Sequence, residues 1–446
     1  MTVCVDFQKY KDVLEKKDGI EVSGNIDRIV GLVIEGKGPG AAVGTTCDIY
    51  PKYSNAPPFK AEVIGFRDNK VLLMPLGDMR GITPGDKIVV REGEASLGVG
   101  KGLLGRVLDG LGNPIDGKGP IFPEAYYPLY REPINPLHRG RITEPLDVGI
   151  KAINGILTFG KGQRVGLMAG TGLGKSILLG MMSRNTSADV SVIALIGERG
   201  REVREFIETS LGEEGLKRSV VVVATSDQPP LVRLRGAFLA TTVAEFFRDQ
   251  GKDVILMMDS VTRVALAQRE IGLAAGEPPT TRGFTPSVFS LMPKLLERTG
   301  KTEDKGSITG LYSVLVEGDD LMEPISDAIR SIVDGHVVLS RDLAARNHYP
   351  AIDILESISR LMIDVVPDEQ IGLANRLVDI MATYKESEDL INIGAYVKGS
   401  SQKIDFAIKM IDSINKFLKQ GIFEKVSYEE TIERLKEILA MSDGQL

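Results

Sequence analysis

A glycine-rich segment, residues 169–176, sets the narrowest limits on the fold of this chain, and its sequence is AGTGLGKS. The apolar run Arg164 to Ala169 leads into it, and another apolar run, residues 177–182, follows it. This order predicts a strand, a tight turn and then a helix. Backbone N–H groups in such a turn, with the free amides and dipole of the helix start, form a cradle for phosphate. The strict pattern has glycine where this chain has Ala169, and the neighbouring Gly170 makes that a small departure.

This segment is the predicted phosphate site of a nucleotide, ATP or ADP. Lys175 is expected to reach the β and γ phosphates, and the Ser176 hydroxyl to coordinate Mg²⁺. An ordinary glycine-rich turn is the alternative, and the Lys-Ser pair in register with its flanking elements argues against it. The predicted nucleotide-binding residues are Gly170, Thr171, Gly172, Leu173, Gly174, Lys175, Ser176 and Ile177.

Three further apolar runs alternate with helical stretches: Val190 to Gly197, Ser219 to Thr225 and Asp253 to Asp259. Nearly continuous apolar strands between helices are typical of a parallel sheet that is buried on both faces. Ligands of such a sheet bind at the carboxyl ends of its strands. The residues that end or follow these runs are therefore candidates for the site.

Acidic residues stand at two of these strand ends. Asp259 ends an apolar run, as does the Walker B carboxylate that holds Mg²⁺, and we expect it to act through water. Glu198 follows another run and is the candidate general base that orients or deprotonates the attacking water. For one isolated acid, a solvated loop charge is the better interpretation. Two acids and a phosphate loop at one edge favour catalysis.

The chain before and after this core has a different pattern. Phe7, Tyr10 and Leu14 predict an amphipathic helix, which either docks on a partner or packs on its own body. Short β-rich runs with turn residues between them predict a small β-barrel, and scaffolding is a commoner use of such a barrel than oligonucleotide binding. These runs are Arg28 to Glu35, Lys60 to Phe66, Lys70 to Leu73 and Lys87 to Val90. After Pro367 the chain is predicted to be helical. One apolar stripe there comprises Ala407, Met410, Ile411, Ile414, Phe417 and Leu418.

Composition excludes several classes of protein. The 446 residues carry a net charge of −7, which makes a broad nucleic-acid-coating surface improbable. Apolar stretches of about five residues fall far short of the roughly 18 that span a bilayer. The chain has only two cysteines, which favours a reducing compartment. The first residues do not have the pattern of a secretory signal peptide. We therefore expect a cytosolic multidomain protein.

Other segments resemble a known family. GERGREV at 197–203, PAIDILESISR at 350–360 and GRVLDGLGNP at 105–114 are similar to segments of the hexameric rotary-type ATPases, including the ATP synthase α and β subunits. Within that superfamily, the chain most resembles the flagellum-specific ATPases of type III export, with the injectisome ATPases close behind. EPPT and PSVF within 277–289, EGDD at 317–320 and DGH at 334–336 carry this finer resemblance.

The resemblance implies a fold and its domain bounds. The expected class is α/β, with a RecA-like P-loop core over residues 96–367. An N-terminal partner-binding helix (1–18) and a β-barrel (19–95) are expected before it. A C-terminal helical domain is expected over 368–446.

The resemblance also implies roles for individual residues. Arg199 and Arg263 would be supporting cations near the site. Arg360 would be an arginine finger that reaches the neighbouring subunit's site, and Tyr349 would stack on adenine. Without the family, Tyr349 is better interpreted as core packing and Arg360 as one member of a helix-surface ion pair.

The implied function is ATP hydrolysis by a homohexamer that energises flagellar protein export, by chaperone release, substrate unfolding or rotation of a central partner. The implied partners are a regulatory protein on the N-terminal helix, a coiled-coil central stalk, the membrane export gate, and export substrates with their chaperones. Nucleic acid is not expected. The expected place is the cytoplasm, peripherally at the inner face of the cell membrane. The Gly- and Pro-rich loop from about Ala274 to Phe289 is the candidate pore-facing element.

Three other functions remain open from the sequence. A rotary ATP synthase catalytic subunit shares the motifs but needs a separate α subunit. A Rho-like nucleic-acid translocase also joins a small barrel to a RecA-like core, although only 6% aromatic residues argue weakly against base stacking. A nucleotide-sensing scaffold with negligible turnover is the third.

Overall fold

The computed structural model of the chain describes residues 22–53, 57–91 and 95–443. Two compact units divide it: the segment up to Ala95 with Leu273–Glu277, and Ser96–Gly272 with the chain from Pro278 onwards. The helix predicted for residues 1–18 lies outside the described residues. The domain bounds given by the sequence analysis remain predictions.

Within residues 22–91, six antiparallel strands close into a barrel. They are β1 (Ser23–Val30), β2 (Val33–Lys37), β3 (Thr46–Tyr50), β4 (Phe59–Arg67), β5 (Lys70–Pro75) and β6 (Lys87–Val90). Their spatial order is β1-β2-β5-β4-β3-β6, and buried aliphatic side chains fill the interior. The predicted barrel is confirmed. The prediction of one run from Arg28 to Glu35 was wrong, because the chain turns at Gly31, with a φ of 57°, between β1 and β2.

Within the described residues, the second unit contains a large sheet and two small sheets of two strands each. Its strands are β7 (Ser96–Val99), β8 (Arg106–Asp109), β9 (Ala125–Pro128), β10 (Pro145–Leu146), β11 (Phe159–Gly160), β12 (Arg164–Ala169), β13 (Val190–Ile196), β14 (Ser219–Ala224), β15 (Asp253–Asp259), β16 (Gly300–Lys301), β17 (Ser307–Leu315), β18 (Gly335–Leu339) and β19 (Ile352–Ser359). The order across the large sheet is β19-β18-β12-β17-β15-β13-β14-β8, with β16 paired to β17. Strands β8 to β18 on this path run parallel, and β19 adds an antiparallel edge.

Helices cover both faces of this sheet and continue to the end of the described chain. They are α1 (Lys151–Ile156), α2 (Lys175–Asn185), α3 (Gly200–Glu205), α4 (Gly212–Lys217), α5 (Pro230–Asp249), α6 (Val261–Ala275), α7 (Pro286–Leu296), α8 (Pro324–Ile332), α9 (Arg341–Ala345), α10 (Met362–Val365), α11 (Asp368–Asn392), α12 (Gln402–Leu418) and α13 (Tyr428–Asp443). A π-helical turn, Phe206–Leu211, links α3 to α4. Among the described helices, none combines the length and apolar character that crossing a membrane demands.

Burial explains why these segments form these elements. Every residue of β14, with the sequence SVVVVA, is buried, as expected for a strand inside a parallel sheet that is covered on both faces. On α12 the predicted stripe is confirmed as core, with Ile411 only partly buried. Leu377 of α11, Ile414 of α12 and Leu435 of α13 share one apolar core with the sheet. The predicted fold class, a barrel followed by a parallel-sheet core and a helical region, is confirmed.

The strand order decides where the site forms. Strand β12 lies between β18 and β17, and β15 lies between β17 and β13. Because these strands are parallel, their carboxyl ends share one edge of the sheet. The residues that follow β12, β13 and β15 therefore meet, although about 90 positions separate the first from the last.

An ion pair is buried within the second unit. Arg298 is fully buried and donates to both carboxylate oxygens of Glu245, at 2.9 and 2.8 Å. Its other bonds go to the Leu129 carbonyl, at 2.7 Å, and to the Thr242 hydroxyl, at 3.0 Å. The guanidinium thus has acceptors for its N–H groups, and the carboxylate of Glu245 balances its buried charge.

Glu245→Ala is expected to lower the free energy of unfolding by about 3–5 kcal/mol, because it leaves the Arg298 charge buried without its carboxylate. Thermal denaturation measures this. The matched control is Glu208→Ala, which breaks the exposed Arg204–Glu208 pair, 2.8 Å long, and is expected to change nothing measurable. Equal melting temperatures for both variants would contradict the expectation.

Candidate functional site

The glycine-rich loop has the backbone that the sequence predicts. Strand β12 ends at Ala169, and α2 begins at Lys175. Gly172 and Gly174 have φ values of 81° and 84°, a left-handed conformation that glycine adopts without strain. Leu173 is buried and anchors the loop, while Thr171, Gly172, Ser176 and Ile177 are exposed. The loop is therefore anchored in the core by Leu173, and its other side is open to a ligand.

Lys175 lies between two carboxylates. Its Nζ is 2.5 Å from Asp259 Oδ1 and 3.9 Å from Glu198 Oε1. Asp259 is almost fully buried, and its Oδ1 also accepts a hydrogen bond from Ser313 Oγ at 2.7 Å. The structure thus brings together the residues predicted from three separate strand ends.

The environment of Glu198 raises its pKa to about 7. Burial is the larger cause, and the negative charge of Asp259 adds to it, while Lys175 opposes both. Glu202, on α3, shares a hydrogen bond with Glu198, and this bond lowers the pKa of Glu202. A carboxyl with a pKa close to neutrality suits proton transfer.

The two predicted supporting cations lie around this cluster. The stem of Arg263 packs against Gly197, directly beside Glu198. Arg199 is largely exposed and stands 3.8 Å from Glu202. Neither makes a close ion pair with Glu198 within the described residues.

Tyr349 borders a cavity of about 390 Å³ beside the phosphate loop. Its ring lies beside Gly174, and 42% of its surface is exposed, so its interpretation as core packing was wrong. The cavity is mostly apolar and is also lined by Ile177 and Met181 of α2 and by residues 420–422. An apolar slot beside a phosphate cradle fits a flat base.

Arg360 lies at the opposite edge of the sheet. Its backbone N–H donates to the Asp334 carbonyl, and Asp334 bonds to Arg164 at the amino end of β12. The phosphate loop leaves the other end of the same strand, about 17 Å away at roughly 3.3 Å per residue. Within the described residues, the exposed Arg360 side chain makes no hydrogen bond or ion pair, so its interpretation as a surface ion pair was wrong.

Family models match the chain in three consecutive segments. The ATP synthase alpha/beta family beta-barrel domain matches residues 26–91, and the nucleotide-binding domain of the same family matches 149–359. The T3SS EscN ATPase C-terminal domain matches 366–437.

Curated relatives match along nearly the whole length. The flagellum-specific ATP synthase of Bacillus subtilis is 52% identical over 96% of this chain and 98% of its own. The chain belongs to the ATP synthase alpha/beta family. Further relatives are the flagellum-specific ATP synthase of Salmonella typhimurium, 47% identical over 92% of each chain, and the type 3 secretion system ATPase of Xanthomonas euvesicatoria, 46% identical over 93% of each.

Solved structures of a type III secretion ATPase match the fold. The assembled ATPase EscN of the enteropathogenic E. coli type III secretion system has a TM-score of 0.88 and 47% identity, over 93% of this chain and all of that one. EscN in complex with its central stalk EscO gives a TM-score of 0.86. The predicted family and the predicted ATPase class are confirmed.

Some residues of this family member's site were not predicted. Ser313 comes from β17 and looks like any strand serine in the sequence. Gln420 reaches the cavity because its N–H donates to the Tyr349 carbonyl at 2.9 Å, across about 70 positions of chain. Glu202, four residues after Glu198, had a detectable signal, since that spacing places two acids on one side of a helix start.

Proposed function

We propose that this chain is the ATP-hydrolysing subunit of a flagellar type III export motor, and that it works as a homohexamer. The observation that carries the proposal is the separation of two sets of groups on one sheet. Lys175, Glu198 and Asp259 converge at one edge, and Arg360 projects from the other. A ring of identical chains completes each site with the neighbour's arginine. The assembled relative EscN supports this arrangement.

The residues of one chain divide the work of hydrolysis. The loop N–H groups and Lys175 bind the β and γ phosphates, which compete with Asp259 and Glu198 for the ammonium group. Glu198, freed from that contact, accepts a proton from the attacking water. Ser313 holds the Asp259 carboxylate in orientation by its 2.7 Å hydrogen bond.

Mg²⁺ fits this site as a partner of the nucleotide. Among the described residues, no group of three or more His, Cys, Asp or Glu side chains is suited to hold a metal by itself. The Ser176 hydroxyl and the Asp259 carboxylate are hard oxygen ligands, and Mg²⁺ is commonly bound by one or two protein oxygens with substrate phosphates and water. When bound, Mg²⁺ neutralises charge that develops on the phosphates.

The test of the proposed function is the Mg²⁺-ATP hydrolysis rate per chain across a wide range of protein concentration. A rate per chain that climbs steeply with concentration is expected, because assembly brings Arg360 to the neighbouring site. A rate that stays near zero at every concentration contradicts the proposal. It would then favour a synthase subunit that needs a separate partner.

The coupling of hydrolysis to export completes the proposal. The complex of EscN with its central stalk EscO supports a stalk partner for this chain too. A regulatory protein on the N-terminal helix and docking at the inner face of the membrane, on the export gate, are further parts of it. ATP would drive chaperone release or unfolding of export substrates.

The loop from about Ala274 to Phe289 is the proposed element that engages these substrates. Arg282 pairs with Asp320 at 3.1 Å, and Phe284 packs between Arg269 and Phe289. Unchanged substrate engagement after replacement of Arg282 and Phe284 would count against this role.

Tyr349→Ala is expected to raise the KM for ATP about tenfold with little change in kcat. The reason is the loss of base stacking, worth roughly 1–3 kcal/mol, which acts equally on bound substrate and transition state. Steady-state kinetics measures both constants, and Tyr349→Phe is the matched control that keeps the ring. A fall in kcat alone would show that Tyr349 does not bind the base.

A further inference from the structure

The first glycine of the phosphate loop touches an ion pair that hydrolysis does not explain. A Cβ atom built on Gly170 would lie 2.8 Å from Asp319 Oδ1 and 3.1 Å from Arg341 Nη2. Arg341 Nε donates to Asp319 Oδ2 at 3.1 Å. The pair therefore lies directly over the loop backbone, and a side chain at position 170 would have to displace the ends of these two side chains.

The sheet topology delivers both partners to this point. Strand β12 is flanked by β17 and β18. Asp319 lies just beyond the end of β17, where Val316 N–H donates to the Ala169 carbonyl at 3.0 Å. Arg341 begins α9, just beyond the end of β18. Asp319 has a φ of 58°, a conformation in which Asp and Asn are favoured among residues with side chains. One group from each flanking strand thus closes over the phosphate loop.

A second ion pair fixes the same acidic segment from outside. Arg282 Nη2 is 3.1 Å from Asp320 Oδ2, and its Nη1 is 3.3 Å from Glu323 Oε1. Arg282 belongs to the turn Thr281–Gly283, between α6 and α7. The segment 319–323 is thus tied to the phosphate loop at one end, through Arg341, and to the loop of Arg282 at the other.

We propose that Arg341 and Asp319 are positioning residues that set the phosphate loop, and that Arg282 acts on nucleotide affinity through them. This inference rests on the proposed function, because it concerns binding at the same loop. A displacement of the Arg282 loop shifts the acidic segment, and with it the pair that presses on Gly170. Phosphates bound in the loop favour the arrangement in which the pair is closed.

Calorimetric titration of the full chain with ADP and Mg²⁺ tests the pair. Exposed ion pairs have limited strength, so Asp319→Asn and Arg341→Gln are each expected to weaken ADP binding about three- to fivefold. The double variant is expected to be no weaker than either single one. The binding of inorganic tripolyphosphate should weaken by the same factor, because the base is not involved. The KM for ATP should rise while kcat stays unchanged.

A double-mutant cycle of Arg282 and Asp319 tests whether Arg282 acts through the acidic segment. Arg282→Gln is expected to weaken ADP binding two- to threefold in the wild-type background and to have no effect once Asp319 is asparagine. Arg346→Gln is the control, because Arg346 directly follows α9 but pairs with Glu388, at 2.8 Å.

Several results would overturn the inference: unchanged ADP affinity in the single variants, effects of Asp319→Asn and Arg341→Gln that multiply, or an Arg282 effect that persists without Asp319. Multiplying effects would mean that Asp319 and Arg341 act on nucleotide binding independently of each other. A wild-type chain that binds no ADP would contradict the proposed function itself, and the inference with it.

Discussion

Arg360→Ala is expected to lower ATP hydrolysis by about 10³- to 10⁵-fold, the usual contribution of an arginine finger. The affinity for ADP is expected to stay within about twofold of wild type. The reason is position, because Arg360 stands at the amino end of β12 and the phosphate loop at its carboxyl end. Removal of the guanidinium leaves its own chain's phosphate site intact. Single-turnover hydrolysis and ADP titration measure the two quantities.

Mixing two inactive variants tests whether the arginine acts on the neighbouring chain. Lys175→Ala removes the phosphate contact and keeps Arg360, whereas Arg360→Ala does the reverse. Rings that contain both chains have some interfaces with a wild-type Lys175 facing a wild-type Arg360, so partial activity should return on mixing. Recovery is largest near equal proportions, because such interfaces are then most numerous.

The control for Arg360→Ala is Arg204→Ala, which removes an exposed arginine whose partner is Glu208 on the same helical stretch. We expect wild-type hydrolysis from it. If the mixture of the two inactive variants stayed inactive although both assembled, the assignment of Arg360 to the neighbour's site would be wrong.

Glu198→Gln is expected to lower hydrolysis by about 10²- to 10⁴-fold, the typical contribution of a general base, and to leave ATP bound. The wild-type profile of kcat/KM should rise with pH through about 7, because Glu198 accepts a proton only when ionised and burial raises its pKa to that value. The residual rate of the variant should lack this limb. If kcat/KM of Glu198→Gln still rose with pH at the same position, the titrating group would belong to the substrate and not to Glu198.

Glu198→Gln is expected to lower activity but to raise the stability of the fold at high pH, because the pKa of Glu198 is raised in the folded chain. Between the ordinary carboxyl pKa of 4.5 and about 7, the folded chain keeps a proton that the unfolded chain loses. Rising pH therefore destabilises the fold through this site, by up to about 3 kcal/mol above pH 7. Glutamine removes that cost and can still donate to Glu202. The variant is thus expected to melt above wild type at pH 8, with the difference shrinking towards pH 5. A lower melting temperature at pH 8 would contradict this account of Glu198.

Elements whose cause is local can be derived from the amino-acid sequence. A β-branched run such as Ser219–Ala224 favours a buried strand, and the order of glycines before Lys175 favours a turn into a helix. The placement of Glu198 and Asp259 at strand ends followed from the rule for parallel sheets, with no need for coordinates. The hairpin inside Arg28 to Glu35 was missed because its turn rests on one glycine, Gly31, in an otherwise strand-like run.

Features that depend on the order of strands and on burial follow only from the folded structure. No local sequence pattern predicts that β12 lies between β17 and β18. This strand order places Ser313 beside Asp259 and the Asp319–Arg341 pair beside Gly170. The antiparallel direction of β19 turns Arg360 away from its own phosphate loop. The raised pKa of Glu198 likewise requires low solvent access and a negative neighbour brought from a distant strand. Local sequence specifies backbone conformation and residue chemistry, whereas distances between remote strands arise only when the chain buries its apolar faces together.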